Sequence, residues 1–341
     1  MKKIVCVLAF FAIQILFLAG ISCKKQSVPS EDMETVSCGN LQLLPPGDLV
    51  SYNGDVYYIR YPDRILYKMN QETFEAVPFC QDPTCDHSTE KCAALGACTN
   101  LEVYKGKLYA ANQNYQMVVL NGDRFERVYG IREGAFTHTG GKLFVAEKDS
   151  TATLMYSERG KLERVVTEDV FGYWRYRIGD YLYGNDGGTM KRIRLSDESS
   201  DVETIFTGFS YTDGSYLYQL GIRDHTLYRR DLEGKNPAQI IDDPVIAFNF
   251  DQQNYYFRYI VDDDFFGEKS KEIYAMRKEG TKEPEYLAAL PGPVRTIYTT
   301  GISDWIYVLT TDSLYYGARE DLYGVNINSG EIRKITYPEE K

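Results

Sequence analysis

The sequence lacks the motifs that many hydrolases and nucleotide-binding enzymes carry. It contains no Gly-x-Ser-x-Gly elbow, no His-Glu-x-x-His pair and no glycine-rich phosphate loop. Histidine, the side chain used most often in acid–base catalysis, occurs only as His87, His138 and His225. We therefore predict no catalytic residue. The possibility of a carboxylate pair that cleaves sugars stays open, because such a pair is defined by distance in space and not by spacing in the sequence.

Basic residues are fewer than acidic residues, and a hydrophobic pattern with the period of a helix is lacking. Removing residues 1–22 takes away two lysines and no acid, which leaves 36 basic against 49 acidic residues and a net charge of −13. A surface of that sign repels phosphate backbones and anionic headgroups, so we predict no nucleic acid partner and no electrostatic membrane contact. Beyond residue 22 no stretch has a convincing 3.6-residue period, which favours an all-β chain.

The longest apolar run stands at the N-terminus. Lys2 and Lys3 precede an almost wholly apolar stretch at 4–19, and small residues then lead to Cys23. A charged start, a short apolar core and small residues before a cleavage point are typical of a secretory signal peptide. The run is too short to be a comfortable membrane span.

The residues before Cys23 resemble the lipobox of bacterial lipoproteins, although Gly20 stands where leucine is usual. The resemblance implies that Cys23 is acylated, with palmitate-like chains, and becomes the first residue after cleavage. It places the protein outside the cytoplasm, tethered to the cell membrane or the outer membrane. Firm anchoring of this kind needs more than one acyl chain. The alternative is an ordinary signal peptide followed by a cysteine by chance.

One sequence repeat occurs seven times along the rest of the chain. Each copy opens with a turn containing glycine, aspartate or asparagine, and a strand of alternating apolar and aromatic residues follows. The equivalent aromatic residues are Tyr57, Tyr109, Phe144, Tyr183, Tyr218, Phe257 and Tyr307. Copies about 40 residues apart, with about four strands each, are typical of propeller blades. One blade cannot bury its apolar faces alone, whereas neighbours in a ring can.

We predict an all-β propeller of seven blades, with six or eight as alternatives because the end copies are the least regular. Ring closure usually borrows a strand from the other terminus, and residues 41–51 are the candidate. The chain then divides into a signal peptide at 1–22, a lipidated N-terminus and linker at 23–40, and a propeller domain at 41–341.

The first long step between copies carries a cysteine-rich insertion at 80–98. Three thiols and one imidazole fall within 13 residues of it, and these groups are the preferred ligands of tetrahedral zinc. Asp82-Pro83 favours a tight turn that brings the first cysteine back toward the second. The predicted ligands of a closed, structural zinc site are Cys80, Cys85, His87 and Cys92.

A second interpretation of the insertion is a pair of disulfides. Clustered cysteines of exported proteins commonly pair, so Cys98 could join the other three, and Cys38 could take part. His87 would then have no role in the site. The spacing matches no standard zinc finger, and both interpretations remain open at this point.

The run from Phe79 to His87, Cys-x-Asp-Pro-x-Cys-x-His with Cys92 beyond it, resembles a signature of propeller-like lipoproteins from gut bacteria. In that group the block follows the first blade, as it does here, and the tyrosine-rich repeats are similar in character. The resemblance implies the propeller fold and an extracytoplasmic location. It implies no activity, because none is assigned to the group.

The second long step contains three consecutive acids, Asp262, Asp263 and Asp264, which could contribute oxygen ligands to calcium. The spacing of an EF-hand is absent, and a solvated loop is the simpler interpretation.

These patterns favour a non-catalytic binding or scaffold protein on the outside of a bacterial membrane. Its ligand, a protein or a glycan, is expected at the axial face or on the cysteine-bearing loop. The alternative is a carbohydrate-active enzyme, a glycoside hydrolase or lyase, with carboxylates at the propeller mouth. The 29 tyrosines could form platforms for sugars, but tyrosine also suits half-exposed strands.

Overall fold

A computed structural model describes most of the chain from Leu49 to Tyr337, and for β9 to β12, defined below, it describes only the backbone. The described residues are 49–60, 64–80, 82, 84–88, 92–104, 106–113, 117–129, 134–139, 142–147, 153–156, 162–166, 173–186, 188–194, 202–260, 266–279, 283–300, 303–312 and 320–337.

Within these ranges, strands form seven four-stranded sheets, each made of four consecutive strands. Sheet 1 has β1 (Leu49–Tyr52), β2 (Asp55–Arg60), β3 (Ile65–Met69) and β4 (Ala76–Pro78); sheet 2 has β5 (Thr99–Tyr104), β6 (Lys107–Ala111), β7 (Met117–Asn121) and β8 (Arg124–Tyr129); sheet 3 has β9 (Gly134–Thr139), β10 (Lys142–Glu147), β11 (Thr153–Tyr156) and β12 (Leu162–Val166). Sheet 4 has β13 (Tyr173–Ile178), β14 (Tyr181–Asp186), β15 (Thr189–Arg194) and β16 (Glu203–Thr207); sheet 5 has β17 (Phe209–Thr212), β18 (Leu217–Leu220), β19 (Leu227–Arg230) and β20 (Ala238–Gln239). Sheet 6 has β21 (Val245–Phe250), β22 (Asn254–Tyr259), β23 (Glu272–Arg277) and β24 (Glu285–Ala289); sheet 7 has β25 (Val294–Thr299), β26 (Trp305–Thr311), β27 (Glu320–Asn326) and β28 (Ile332–Lys334). Two short 3-10 helices, Ala93–Leu95 and Glu268–Lys271, lie in connections.

Alternate side chains along a strand form the apolar contacts with the two neighbouring sheets. Along β2, Tyr57 and Ile59 pack in the core shared with sheet 2. The alternate residues, Val56 and Tyr58, pack in the core shared with sheet 7. Successive residues of a strand point to opposite faces, so sheet 1 is buried on both sides by its neighbours.

The sheets are arranged around a centre lined by their first strands. The first strands of neighbouring sheets lie against one another, as β1 does with β5 and β21 with β25. The last sheet returns to the first, where the ring of Tyr337 packs edge-on against Tyr67 with centroids 5.0 Å apart. We call this contact between sheets 1 and 7 the seam. The predicted all-β propeller of four-stranded antiparallel units is confirmed.

The sequence repeat and the sheet are offset by one strand, because each copy of the repeat begins at the second strand of a sheet. The opening strand of the repeat is the second strand of every sheet, and an unpredicted first strand precedes it. Several first strands contain a shift in register, between Val245 and Ala247 in β21 and between Val294 and Thr296 in β25. An extra residue breaks the alternation of apolar and polar positions and increases local twist, which explains why these strands escape a period-two search.

The predicted borrowed strand at 41–51 is wrong for the part that the structure describes, from Leu49 onward. That part, β1, pairs with β2 in register Leu49↔Tyr58, so it is the first strand of its own sheet. Among the described residues, sheet 7 consists of the strands between Val294 and Lys334. The seam instead has one isolated parallel bridge, between Glu75 and Thr336.

The order of strands defines two faces of the ring. Because the strands of a sheet alternate in direction, the turns between first and second and between third and fourth strands lie at one end, the hairpin face. The turns between second and third strands and the connections between sheets lie at the other end, the connection face. Both long steps, at 79–98 and 260–271, fall on the connection face, as expected for insertions on a repeat scaffold.

Candidate functional site

The cysteine insertion begins with a tight turn directly after β4. The carboxylate of Asp82 accepts hydrogen bonds from the backbone N–H and the hydroxyl of Thr84, at 2.9 and 2.7 Å. The backbone N–H of Cys85 donates to the carbonyl oxygen of Asp82 at 3.1 Å. This turn returns the chain toward Cys80, as the Asp-Pro pair predicts.

His87 reaches the cysteines from an unusual backbone conformation. Its φ is 53°, in the left-handed region that few non-glycine residues adopt. Asp86 stabilises the bend, since its carboxylate accepts from the backbone N–H of Ser88 at 3.1 Å and from its hydroxyl at 2.7 Å. The imidazole Nδ1 then lies 3.2 Å from Sγ of Cys92.

Four ligand atoms converge at this place. The thiol sulfurs of Cys80, Cys85 and Cys92 and a ring nitrogen of His87 all lie within 4.8 Å of one another. Zinc–sulfur bonds of about 2.3 Å in a tetrahedron separate the sulfurs by about 3.8 Å, which is compatible with that spread. The four residues could hold a metal ion and would complete a tetrahedron without a position for water.

Backbone amides point at two of the sulfurs. Burial acts to raise the pKa of Cys80, but hydrogen bonds from the backbone of Asp82 and Ala93 and from the neighbouring thiols lower it below its usual value. Burial raises the pKa of Cys92 to about 12, although the backbone of Ala94 and Leu95 also hydrogen bonds to it. Such N–H groups support thiolates in metal sites, where they act as outer partners of the ligands.

Cys98 lies apart from this cluster. It is buried beyond the 3-10 helix Ala93–Leu95, and its backbone N–H donates to the carbonyl oxygen of Ala111 at 2.8 Å. None of the four described cysteines forms a disulfide. The structure thus groups the four predicted metal ligands and leaves out Cys98, while Cys38 lies outside the described residues.

A second site, unpredicted from the sequence, is a cavity of about 920 Å³ on the hairpin face. It lies among sheets 5, 6 and 7, and its walls come from turns between first and second and between third and fourth strands. Residues that line it include Asp213, Tyr216, Arg229, Gln252, Gln253, Arg277, Lys278, Glu283 and Asn328.

Asp213 is the most constrained acid of the cavity. One carboxylate oxygen accepts from the backbone N–H groups of Ser215 and Tyr216, both at 3.0 Å. The other accepts from the hydroxyl of Tyr218 at 2.5 Å and from the ammonium of Lys278 at 3.3 Å. Burial acts to raise the pKa of Asp213, but these hydrogen bonds and the Lys278 charge lower it below its usual value.

The same arrangement recurs in the next sheet. Asp251 accepts from the backbone N–H groups of Gln253 and Asn254, each at 2.7 Å, and from the hydroxyl of Tyr256 at 2.5 Å. An aspartate five residues before a tyrosine therefore fixes the first hairpin of sheets 5 and 6. This spacing is visible in the sequence and could have located the turns that form the cavity.

Tyr216 offers an open aromatic surface at the cavity. Its side chain is among the few large apolar groups that are exposed in the described residues, at 40%. The guanidinium of Arg229 lies 4.4 Å from the ring centroid and covers one side of the ring. Arg229 thus orients the ring while the rest of it faces solvent.

Other predicted sites lie elsewhere. Cys23, with the signal peptide, and the possible calcium ligands Asp262, Asp263 and Asp264 lie outside the described residues. Of the remaining histidines, His138 is in β9 and His225 is in the turn before β19. The described helices are two 3-10 turns, and neither has the length or the apolar character needed to cross a membrane.

Comparison with known proteins identifies a fold. No known sequence family and no curated protein matches the chain. Among solved structures, a streptogramin B lyase superimposes with a TM-score of 0.51 at 11% identity, over 78% of this chain and 92% of that chain. The dihydro-heme d1 dehydrogenase NirN also gives 0.51, at 15% identity, over 84% of this chain and 65% of that chain. At such identities the likeness shows the propeller fold alone.

Proposed function

We propose that this protein is a binding propeller tethered outside the cytoplasm through Cys23, and that its ligand, a glycan or a protein segment, enters the cavity of sheets 5 to 7. The tether rests on the signal peptide pattern and the lipobox resemblance. We also propose that the ring has seven blades, and the seven four-stranded sheets of the described residues support that number. The observation that carries the binding role is the cavity itself, since its volume lies in the range of ligand sites.

The lining of the cavity is suited to a polar ligand with one apolar side. Tyr216 provides an open ring, and the side-chain amides of Gln252, Gln253 and Asn328 offer both donors and acceptors. Arg277 adds an exposed cation. Sugars combine hydroxyls with a flat apolar face, so a glycan fits this chemistry best, and an extended protein segment is the second ligand class.

Binding is favoured over catalysis by the state of Asp213. A carboxylate that donates a proton at neutral pH needs a raised pKa. The pKa of Asp213 is lowered, and both of its oxygens already accept hydrogen bonds. A sugar-cleaving enzyme remains the rival function, because the fold is shared with a lyase and the cavity also contains Glu283 and Glu285.

A glycan array tests the binding role. The wild-type chain without residues 1–22 is compared with Tyr216→Ala, and Phe266→Ala serves as the control because its exposure is 41% and it lies on the opposite face. We expect Tyr216→Ala to lose about tenfold or more in affinity for any glycan that binds, and Phe266→Ala to keep it. Equal losses, or cleavage of a bound glycan, would refute the proposal.

The tether is tested in cells that process lipoproteins. Wild-type protein should incorporate labelled palmitate and sediment with membranes, because acyl chains supply the anchoring free energy. Cys23→Ala should incorporate no label and should be recovered in the soluble fraction. A Cys23→Ala protein that still sediments with membranes would contradict the anchor.

We further propose that the metal of the cysteine cluster is structural zinc. The support is the donor set, three sulfurs and one imidazole nitrogen, with backbone amides behind two of the sulfurs. Protein purified without oxygen should contain one zinc per chain, Cys85→Ser much less, and Cys98→Ala the full amount. Substoichiometric zinc in a wild-type protein without titratable thiols would mean disulfides instead.

A further inference from the structure

Sheets 1 and 7 share no strand within the part of the chain that the structure describes. Each of the two sheets is built from its own continuous stretch of chain. A propeller without a shared strand must hold its first and last blades together by other contacts, because the seam is the only neighbouring pair of sheets not joined by the next residues of the chain. Those contacts can be identified.

Aromatic and cationic side chains interlock across the seam. The guanidinium of Arg60, in sheet 1, lies 4.8 Å from the ring centroid of Tyr67 and 4.7 Å from that of Tyr337. From the opposite direction, the guanidinium of Arg333 in sheet 7 lies 5.2 Å from the ring of Phe74 and donates to the carbonyl oxygen of Glu72 at 3.2 Å. These cations bring both sheets into one set of ring contacts.

The cysteine insertion is part of the same core. Cys92, Ala94 and Leu95 are buried in the apolar cluster that also contains Tyr67 of sheet 1 and Leu309 of sheet 7. Cys80 and Cys85 pack against that cluster at its margin. The three cysteine ligands therefore lie in or against the apolar core of the seam.

The insertion is also continuous with the strand that bridges the seam. Glu75 forms the parallel bridge to Thr336, and the backbone N–H of Ala76 donates to the carbonyl oxygen of Thr336 at 2.9 Å. Cys80 follows only four residues after Ala76. A constraint placed on Cys80 is thereby placed on the strand that contacts the C-terminal segment.

We propose that the metal centre is the latch of the ring. Bound to one ion, Cys80 and Cys92 hold the end of β4 against the 3-10 helix Ala93–Leu95, and this fixes the apolar surface on which sheet 7 docks. The latch rests on the proposed zinc site. It replaces the shared strand of other ring closures, because an ion that binds only the folded site stabilises the contacts built on it.

Hydrogen exchange measured by mass spectrometry tests the latch. The zinc-loaded protein is compared with the same protein after chelation and with Cys85→Ser, and Cys98→Ala is the matched control. Chelation and Cys85→Ser should speed exchange about tenfold or more in β3, β4 and residues 320–337, while β18 to β22 keep their protection. Cys98→Ala should retain both zinc and protection at the seam.

A second variant tests the latch without removing a metal ligand, so that loss of the fold at the insertion cannot explain the result. Arg333→Ala weakens the seam from the side of sheet 7 and leaves every metal ligand in place. If metal and seam are coupled, reciprocity requires this variant to bind zinc more weakly to the extent that it opens the seam, by at most the factor with which zinc favours the closed seam. A control, Arg124→Ala, changes an exposed arginine of sheet 2 and should bind zinc as the wild type does.

The outcomes separate the two ideas. A wild-type protein without stoichiometric zinc overturns the zinc site and the latch together. If zinc is bound but chelation speeds exchange only within 80–98, or equally in all sheets, the zinc site stands and the latch is wrong. If Arg333→Ala speeds exchange at the seam and leaves zinc affinity unchanged, the latch is also wrong.

Discussion

Phe74 and Gly324 show how a single side chain can determine a sheet contact. Phe74 is almost fully buried, has a φ of 59°, and packs edge-on against Trp305 with centroids 4.7 Å apart. A Cβ placed on Gly324 would overlap the Phe74 ring. The glycine in β27 therefore leaves the space that the aromatic ring of sheet 1 occupies.

Gly324→Ala should lower the free energy of unfolding by about 1–3 kcal/mol, because the added methyl forces the Phe74 ring from its place. Gly292→Ala is the control, since the nearest atom to its Cβ would lie 3.4 Å away, at ordinary contact distance. Urea titration of both variants measures the difference. A Gly324→Ala protein as stable as the control would show that the ring can move without cost.

Asp213 gives the stability of the cavity a pH dependence. Its folded pKa is lowered, so the unfolded chain binds the proton more readily. The stabilisation is present above the unfolded pKa and is lost as pH falls through the folded pKa. At neutral pH, Asp213→Asn should cost about 1.5–3 kcal/mol, the usual contribution of hydrogen bonds to a charged group.

The measurement is the free energy of unfolding as a function of pH. The difference between wild type and Asp213→Asn should shrink below about pH 4, where the wild-type carboxyl of the unfolded chain is protonated. Asp243→Asn, at an exposed position, is the control variant. A difference that stays constant down to acid pH would contradict the assigned hydrogen bonds.

At the scale of elements, the C-terminal segment after β28 acts as part of the seam. Tyr337 is buried, and its ring contacts Tyr67. Tyr337→Ala should cost about 3–5 kcal/mol, as removal of a buried aromatic side chain does. Tyr286→Ala, at a position that is 58% exposed, should change stability by less than about 0.5 kcal/mol. Equal effects in a denaturant titration would mean that the segment does not close the ring.

Strand patterns predicted some elements and hid others, for a physical reason. The second strands, such as β2 and β22, follow a turn signal directly, and their four inner positions are buried. The first strand β21 is also buried at most positions, but a shift in register interrupts its pattern. The turn signals therefore reveal the second strands, whereas bulged first strands are missed.

The candidate sites divide in the same way. The cluster of three cysteines and one histidine is predictable, because thiols and imidazole are rare in this chain and occur together in one insertion. The cavity cannot be predicted from the sequence, because Asp213, Gln252 and Asn328 are ordinary turn residues. They come together only when three sheets are placed side by side. Ring closure was predicted by strand exchange because the sequence reveals no interaction between Glu75 and Thr336, which are 261 residues apart.

At the scale of the whole molecule, every sheet is a continuous piece of chain. The ring can therefore be opened between any two sheets without dividing a sheet. A permuted chain that begins at Asp243, with the old ends joined by a flexible linker, retains all seven sheets, because residues 242–244 are an exposed connection.

Such a permutant should unfold cooperatively with a modest loss of stability. A second permutant, opened at Arg223 between β18 and β19, divides sheet 5 and should lose considerably more. The comparison by urea titration, with far-ultraviolet circular dichroism as the probe, distinguishes them. Equal stability of the two chains would contradict the independence of the sheets.

The course of β1 also determines how the molecule can be displayed. Its C-terminal end leads into the first turn of the hairpin face, so its first residue, Leu49, lies at the connection face, which also carries the cysteine cluster. The cavity mouth lined by Tyr216 lies at the other face. An anchor that reaches the ring through β1 would therefore be attached opposite the entrance for the ligand.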